Sequence, residues 1–178
     1  MEIFAYCIPR AARSVAAATG TTPYTSLPWT AETLGRLPGG YGLLYFRLHG
    51  SEVERGIWFG EDANRDLVPA LEAHNIKGAD LRGAVAVVAN CYGADDPLVQ
   101  LLYQAGARAV IAGEGPNMAA GNNIIGTDLL VRWLRLSLRM GPAWALRVAR
   151  ARLLATGWRE ADRDALAFRI IDNNGGLT

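Results

Sequence analysis

Two side chains capable of nucleophilic chemistry stand at comparable places in this chain. Residues 85–93 read VAVVANCYG, an apolar run from Val85 to Ala89 followed by Asn90, Cys91, Tyr92 and Gly93. A continuous apolar run without alternation suits a strand buried on both faces, as in a parallel sheet. Residues 42–50 read GLLYFRLHG, a second apolar run that ends in His49-Gly50. In open parallel sheets the working groups lie just past the carboxyl ends of the strands. A thiol becomes a nucleophile at neutral pH when a base or an electropositive group sits beside it. Cys91 as nucleophile and His49 as its proton-handling partner is the chemistry these residues offer. Each has a plainer role when taken alone. A free cysteine is usually a small buried hydrophobe, and a histidine at a strand end is usually a cap or a solvated side chain. The paired placement is what favours catalysis.

The elements that must position this pair follow from the rest of the pattern. Residues 2–8 read as a first strand stopped by Pro9. An alanine-rich helix follows over 11–18, ending near Gly20, and 21–29 form a loop or short edge strand. Thr30 caps a short helix that Pro38-Gly39-Gly40 closes. After His49 a β-hairpin is expected around Ile57-Trp58-Phe59, then a helix over 64–74 with Leu67, Val68 and Leu71 on one face. His74, near that helix's end, has a structural reading.

Beyond Cys91, Asp96 and Pro97 start a helix that runs to Gln104 and ends at Gly106. Residues 108–112 form another strand, and the glycine- and asparagine-rich 113–123 a loop facing substrate. A helix over 128–140, with Leu130, Leu134 and Leu138 in step, breaks at Gly141-Pro142 into a second over 143–155. Arg132, Arg135, Arg139, Arg147, Arg150 and Arg152 are expected on solvated faces. Residues 165–172 read as a last strand and 173–178 as a tail. Alternating strands and helices indicate a doubly wound α/β domain, a mostly parallel sheet with helices on both faces.

The chain has 178 residues, enough for a single domain over 1–178 with a full core, and half of it is hydrophobic. A net charge of +1 argues against nucleic acid as a partner. Cys7 and Cys91 are too few for a disulfide framework or a zinc-ribbon site, so a reducing, cytoplasmic setting is expected. The opening residues, MEIFAYCIPR, lack a charged segment followed by a long apolar core, so neither a signal peptide nor a membrane span is expected.

In order, the chain gives a strand ending in His49-Gly50, a hairpin, a strand ending in Cys91 with Gly93 shortly after, a helix, a strand and a long helix pair. This resembles the caspase-like cysteine peptidases of clan CD, most closely the bacterial CHAT branch, relatives of separase. The segments LVQLLYQAGARAVIAGEGP and WALRVARARLL are similar to the family's corresponding helix–turn–strand and helix. The resemblance covers residues 43–154. The chain departs from the family pattern in having only about 40 residues before the histidine strand, in Ala89, where several basic-specific relatives carry an aspartate, and in Glu114 and Gly115 after Ala112, where CHAT proteins usually have bulkier residues.

The resemblance implies a caspase-like fold and a cysteine endopeptidase with a His49–Cys91 dyad, requiring no metal and no cofactor. By the same resemblance the Gly50 and Cys91 backbone N–H groups would hold the oxyanion. A basic P1 residue, as in many CHAT relatives, needs an acidic partner, for which Glu114, Asp95 and Asp96 are the candidates. The partner would be a protein or peptide substrate, with a regulatory partner protein also open. The rival reading is a catalytically inactive caspase-like binding or regulatory module. Class I amidotransferases take their histidine from downstream of the cysteine, whereas His49 and His74 both lie upstream of Cys91. No G-x-G-x-x-G or Walker loop supports a nucleotide-binding domain.

Overall fold

Four apolar runs, IFAYC, LLYFR, VAVV and AVIAG, lie side by side as parallel strands. The structure is a computed structural model that describes residues 1–117, 126–157 and 166–171. Its elements are β1 (Ile3–Cys7), α1 (Ala12–Thr19), β2 (Tyr24–Thr25), α2 (Ala31–Leu34), β3 (Leu43–Arg47), β4 (Ile57–Glu61) and β5 (Leu67–Glu72). They continue with α3 (Ala73–Ile76), β6 (Val85–Val88), α4 (Pro97–Gln104), β7 (Ala109–Gly113), α5 (Gly126–Ser137), α6 (Pro142–Leu154) and β8 (Phe168–Ile171). The main sheet has the order β2-β1-β3-β6-β7-β8, and β8 alone runs antiparallel to its neighbour.

The register of the four inner strands is flush. Ile3 pairs with Leu43, Leu43 with Val85 and Val85 with Ala109; at the other end Phe46 pairs with Val88 and Val88 with Ala112. The loops that follow β1, β3, β6 and β7 therefore leave from one edge. That edge is where His49 and Cys91 stand.

Strand alternation sends successive side chains to opposite faces. On one face Tyr45 donates to Asp128 Oδ1 at 2.8 Å, and Arg47 reaches Asp128 Oδ2 at 2.6 Å and the Ser14 hydroxyl. This is the face covered by α1 and α5. On the other, Phe4, Phe46 and Trp58 stack in series, with ring centroids 6.2 Å and 5.1 Å apart. The β4–β5 ribbon covers that face, with α3 and α4 packed together beside it. Leu130, Leu134 and Leu138 are buried as the spacing predicted, and each such side chain contributes roughly 2 kcal/mol.

Most boundaries follow the sequence. Gly20 closes α1 in the left-handed conformation, Thr30 caps α2 by accepting from Thr33 N, and Asp96 caps α4 with Pro97 in the first turn. The helix expected over 64–74 is absent. Residues 67–72 form β5, antiparallel to β4, and only the short α3 follows. Pro69 decides this, because in a helix interior it would lack the N–H and clash with the preceding turn. In a two-stranded ribbon it pairs with Phe59 beside a bulge. His74 ties α3 to α2, its Nε2 lying 3.0 Å from the Ala31 carbonyl oxygen.

The arginines are less uniform than expected. Arg132, Arg139, Arg147 and Arg152 are exposed, Arg152 lying over the Trp133 ring. Arg135 and Arg150 are half-buried and donate to the Thr19 and Phe168 carbonyls. Loop residues 118–123 and the tail 173–178 lie outside the described residues. Among the described residues no helix is long and apolar enough to cross a membrane.

Candidate active site

β3 delivers His49 to the edge. Two residues beyond the strand, its backbone pairs with Phe59 in both directions, N to O at 2.8 Å and O to N at 2.9 Å. That bridge extends the β4–β5 ribbon back to the end of β3. Residues 59 and 61 lie on the same side of a strand, so Glu61 falls diagonally across from His49. His49 Nε2 lies 2.7 Å from Glu61 Oε1. The same oxygen takes Arg10 Nη2 at 2.7 Å, from the turn after β1. Glu61 is nearly buried, and a buried carboxylate needs such partners.

β6 delivers Cys91. The fully buried Asn90 accepts from Leu48 N at 2.8 Å, lashing the end of β6 to the end of β3. Tyr92 then takes φ +54°, so the sharp turn after the strand falls on a non-glycine, one residue before Gly93. Left-handed backbone at such a residue costs about 1 kcal/mol and persists where its surroundings fix it. Here Tyr92 N donates to Gly115 O at 2.7 Å. Its phenol is pushed above the usual tyrosine range, first by the charge of Glu52 and then by burial.

The two motifs meet. A Cβ on Gly50 would overlap the Cys91 carbonyl oxygen, so only glycine lets the backbones after β3 and β6 approach this closely. Cys91 is half-buried, and its thiol is clasped by one residue: Sγ–H donates to Asn117 O at 3.2 Å and Asn117 N donates to Sγ at 3.3 Å. Asn117 is itself held by its side-chain amide, which donates to Asn90 O at 2.7 Å. His49 thus bonds Glu61 and Cys91 bonds Asn117, with no hydrogen bond between the two side chains. The Gly50 and Cys91 N–H groups, expected to hold an oxyanion, donate to no other described residue.

The three acidic candidates separate. Asp95 is exposed in a single turn before α4. Asp96 is buried and committed to structure: Oδ1 accepts from Leu98 N at 2.9 Å and Oδ2 from Gly56 N at 3.2 Å. Burial pushes its carboxyl above the ordinary aspartate value, while those backbone hydrogen bonds pull the other way. Glu114, just past β7, is half-exposed and paired with Arg169 of β8 at 3.0 Å. Among the described residues no three His, Cys, Asp or Glu side chains gather to hold a metal ion.

Glu61, Arg10, Asn90 and Asn117 belong to this edge and were not anticipated. A signal for Glu61 existed in the alternation of Ile57, Phe59 and Glu61 along one ribbon strand. Arg10 and Asn117 come together through sheet order, which leaves no local mark. No protein-family model matches the chain, and no curated protein matches it significantly in sequence.

Proposed function

We propose that the chain is a cysteine peptidase in which Cys91 is the nucleophile and His49 the acid–base group. The observation that carries this reading is the convergence of the two at one sheet edge, with Gly50 packed against the Cys91 carbonyl and the Gly50 and Cys91 N–H groups donating to no other described residue. The hairpin inserted between the histidine and cysteine strands also accords with the caspase-like resemblance, which supplies the family part of the proposal.

The chemistry balances without a cofactor. The thiol proton passes to the imidazole as sulfur bonds to the peptide carbonyl carbon. The oxyanion then forms where the Gly50 and Cys91 N–H groups can donate to it. The imidazolium returns the proton to the departing amine, leaving an acyl-thioester. Water gives a proton to the imidazole as it attacks the thioester; collapse releases the acid, and the imidazolium reprotonates the thiolate. For sulfur to reach a substrate, Asn117 must release it.

Specificity for a basic P1 residue, with Glu114 as the recognising carboxylate, is part of the proposal. What supports this is that the Glu114 carboxylate pairs with a guanidinium within the chain, that of Arg169 at 3.0 Å. A substrate arginine would have to share or displace Arg169. The second reading, a caspase-like binding module without catalysis, draws on one specific observation: Sγ and Nε2 are each engaged by a partner other than the other.

The test is hydrolysis of arginyl and aspartyl peptide libraries by the parent and by Cys91→Ser, His49→Ala and Glu114→Gln. The expected outcome is arginyl cleavage by the parent, reduced about 1000-fold or more by either dyad substitution. Glu114→Gln should lose arginyl cleavage while its fold is intact. Undiminished arginyl cleavage in Glu114→Gln removes that residue's role. Aspartyl preference in the parent removes the basic specificity, and a parent inert towards both libraries favours the binding module.

A further inference from the structure

We propose that Glu61 is the positioning residue of the site, accepting from His49 Nε2–H and leaving Nδ1 as the nitrogen that exchanges a proton with Cys91. The inference rests on the peptidase reading and adds to it a third side chain and a direction for the proton.

The geometry is built into the ribbon rather than left to side-chain chance. The His49 backbone is fixed to Phe59 by two hydrogen bonds. The Glu61 backbone is fixed separately, its N donating to Ser26 Oγ at 2.9 Å and its carbonyl accepting from the same hydroxyl at 3.3 Å. Ser26 is fully buried and held in turn by Cys7 O, which accepts from Ser26 N at 3.0 Å. The intervening Gly60 lies so close to Ser26 that any Cβ would overlap that side chain. With both pivots locked, the 2.7 Å contact between Nε2 and Oε1 has little freedom to open.

An ionised carboxylate only accepts hydrogen bonds, so Nε2 must carry the proton. In a neutral imidazole the other nitrogen is then a bare acceptor. Nδ1 makes no hydrogen bond to any described residue. When Nδ1 takes the thiol proton, positive charge develops on the ring 2.7 Å from a nearly buried carboxylate. That charge is stabilised most in the step where it appears, which is how a positioning group accelerates a reaction. Arg10 on the same oxygen offsets the cost of keeping Glu61 buried and charged in the resting site.

The test reads the tautomer directly. Long-range proton–nitrogen NMR correlations of the nitrogen-15-labelled parent, above the ordinary histidine titration range, distinguish Nε2–H from Nδ1–H. His74→Gln assigns the signals. The expected parent spectrum is the Nε2–H form for His49, becoming mixed in Glu61→Gln. In that variant kcat on the arginyl peptide should fall about tenfold or more, with KM changed less than about twofold. A melting curve for Glu61→Gln that overlays the parent's separates this effect from loss of fold. An Nδ1–H or mixed tautomer in the parent, or an unchanged tautomer in Glu61→Gln, overturns the role of Glu61. If His49→Ala leaves hydrolysis unchanged, the peptidase reading falls and takes the Nδ1 proton transfer with it, while the tautomer result still reports on Glu61.

Discussion

Cys7 and Cys91 illustrate how strand position sets thiol chemistry. Cys7 is the last residue of β1, fully buried, and burial pushes its thiol up to about 12, with Arg47 pulling it down and Asp128 pushing it up. Cys91 lies past a strand end and is half-buried. In the native protein iodoacetamide should therefore alkylate Cys91 more than about 100-fold faster than Cys7, as peptide mapping would show. Equal rates would mean that the strand end confers nothing on Cys91. The strand-end positions of His49 and Cys91 were legible because each follows an apolar run and has a glycine one or two residues further on. Glu61 was not, because its relation to His49 depends on which residue of the ribbon faces 49. The Phe59 pairing that sets this comes from tertiary structure.

Among the elements, the β4–β5 ribbon was half legible. Its first strand announced itself in Ile57-Trp58-Phe59, while its second was read as helix because Leu67, Val68 and Leu71 fall at i, i+1 and i+4, a helical spacing. Spacing pointed to the helix, and Pro69 overrules it. The ribbon's attachment includes the Gly60–Ser26 approach and Trp58 against Phe46, beside the His49–Phe59 bridge. Gly60→Ala should lower unfolding stability by about 2 kcal/mol, since the added carbon must push Ser26 or the strand aside. Urea unfolding measures this, and an unchanged midpoint would show that Ser26 yields freely. The edge strand β2 and the helices α1, α2 and α4 needed no such rescue, because caps and breakers in the sequence fix their ends.

At the scale of the whole molecule, the parallel strands were legible one by one, but their order was not. Sequence gives no measure of which apolar run lies beside which. Order is what joins β3 to α1 and α5 through Arg47, Tyr45, Ser14 and Asp128, polar groups spread over more than a hundred residues of chain. Asp128→Asn should cost about 3 kcal/mol in chemical denaturation, because it removes the carboxylate that faces a buried guanidinium. Combining Asp128→Leu with Arg47→Met should recover much of that loss, since a matched apolar pair has no charge to desolvate. A double variant no more stable than Asp128→Asn would mean that the network is needed for more than charge balance.

The antiparallel border strand of the main sheet, β8, has a consequence for how the protein behaves in company. β7 is AVIAG, buried throughout, and as an outermost strand it would present an apolar ladder of unpaired N–H and C=O groups. Such an edge is a template on which another chain can grow. β8 lies along it and turns outward a strand whose Arg169 is exposed. At the opposite border β2 pairs over only two residues, too short to recruit a long strand. Among the described residues both borders of the sheet thus discourage one molecule from adding to the next, and neither border is the carboxyl edge that holds His49 and Cys91.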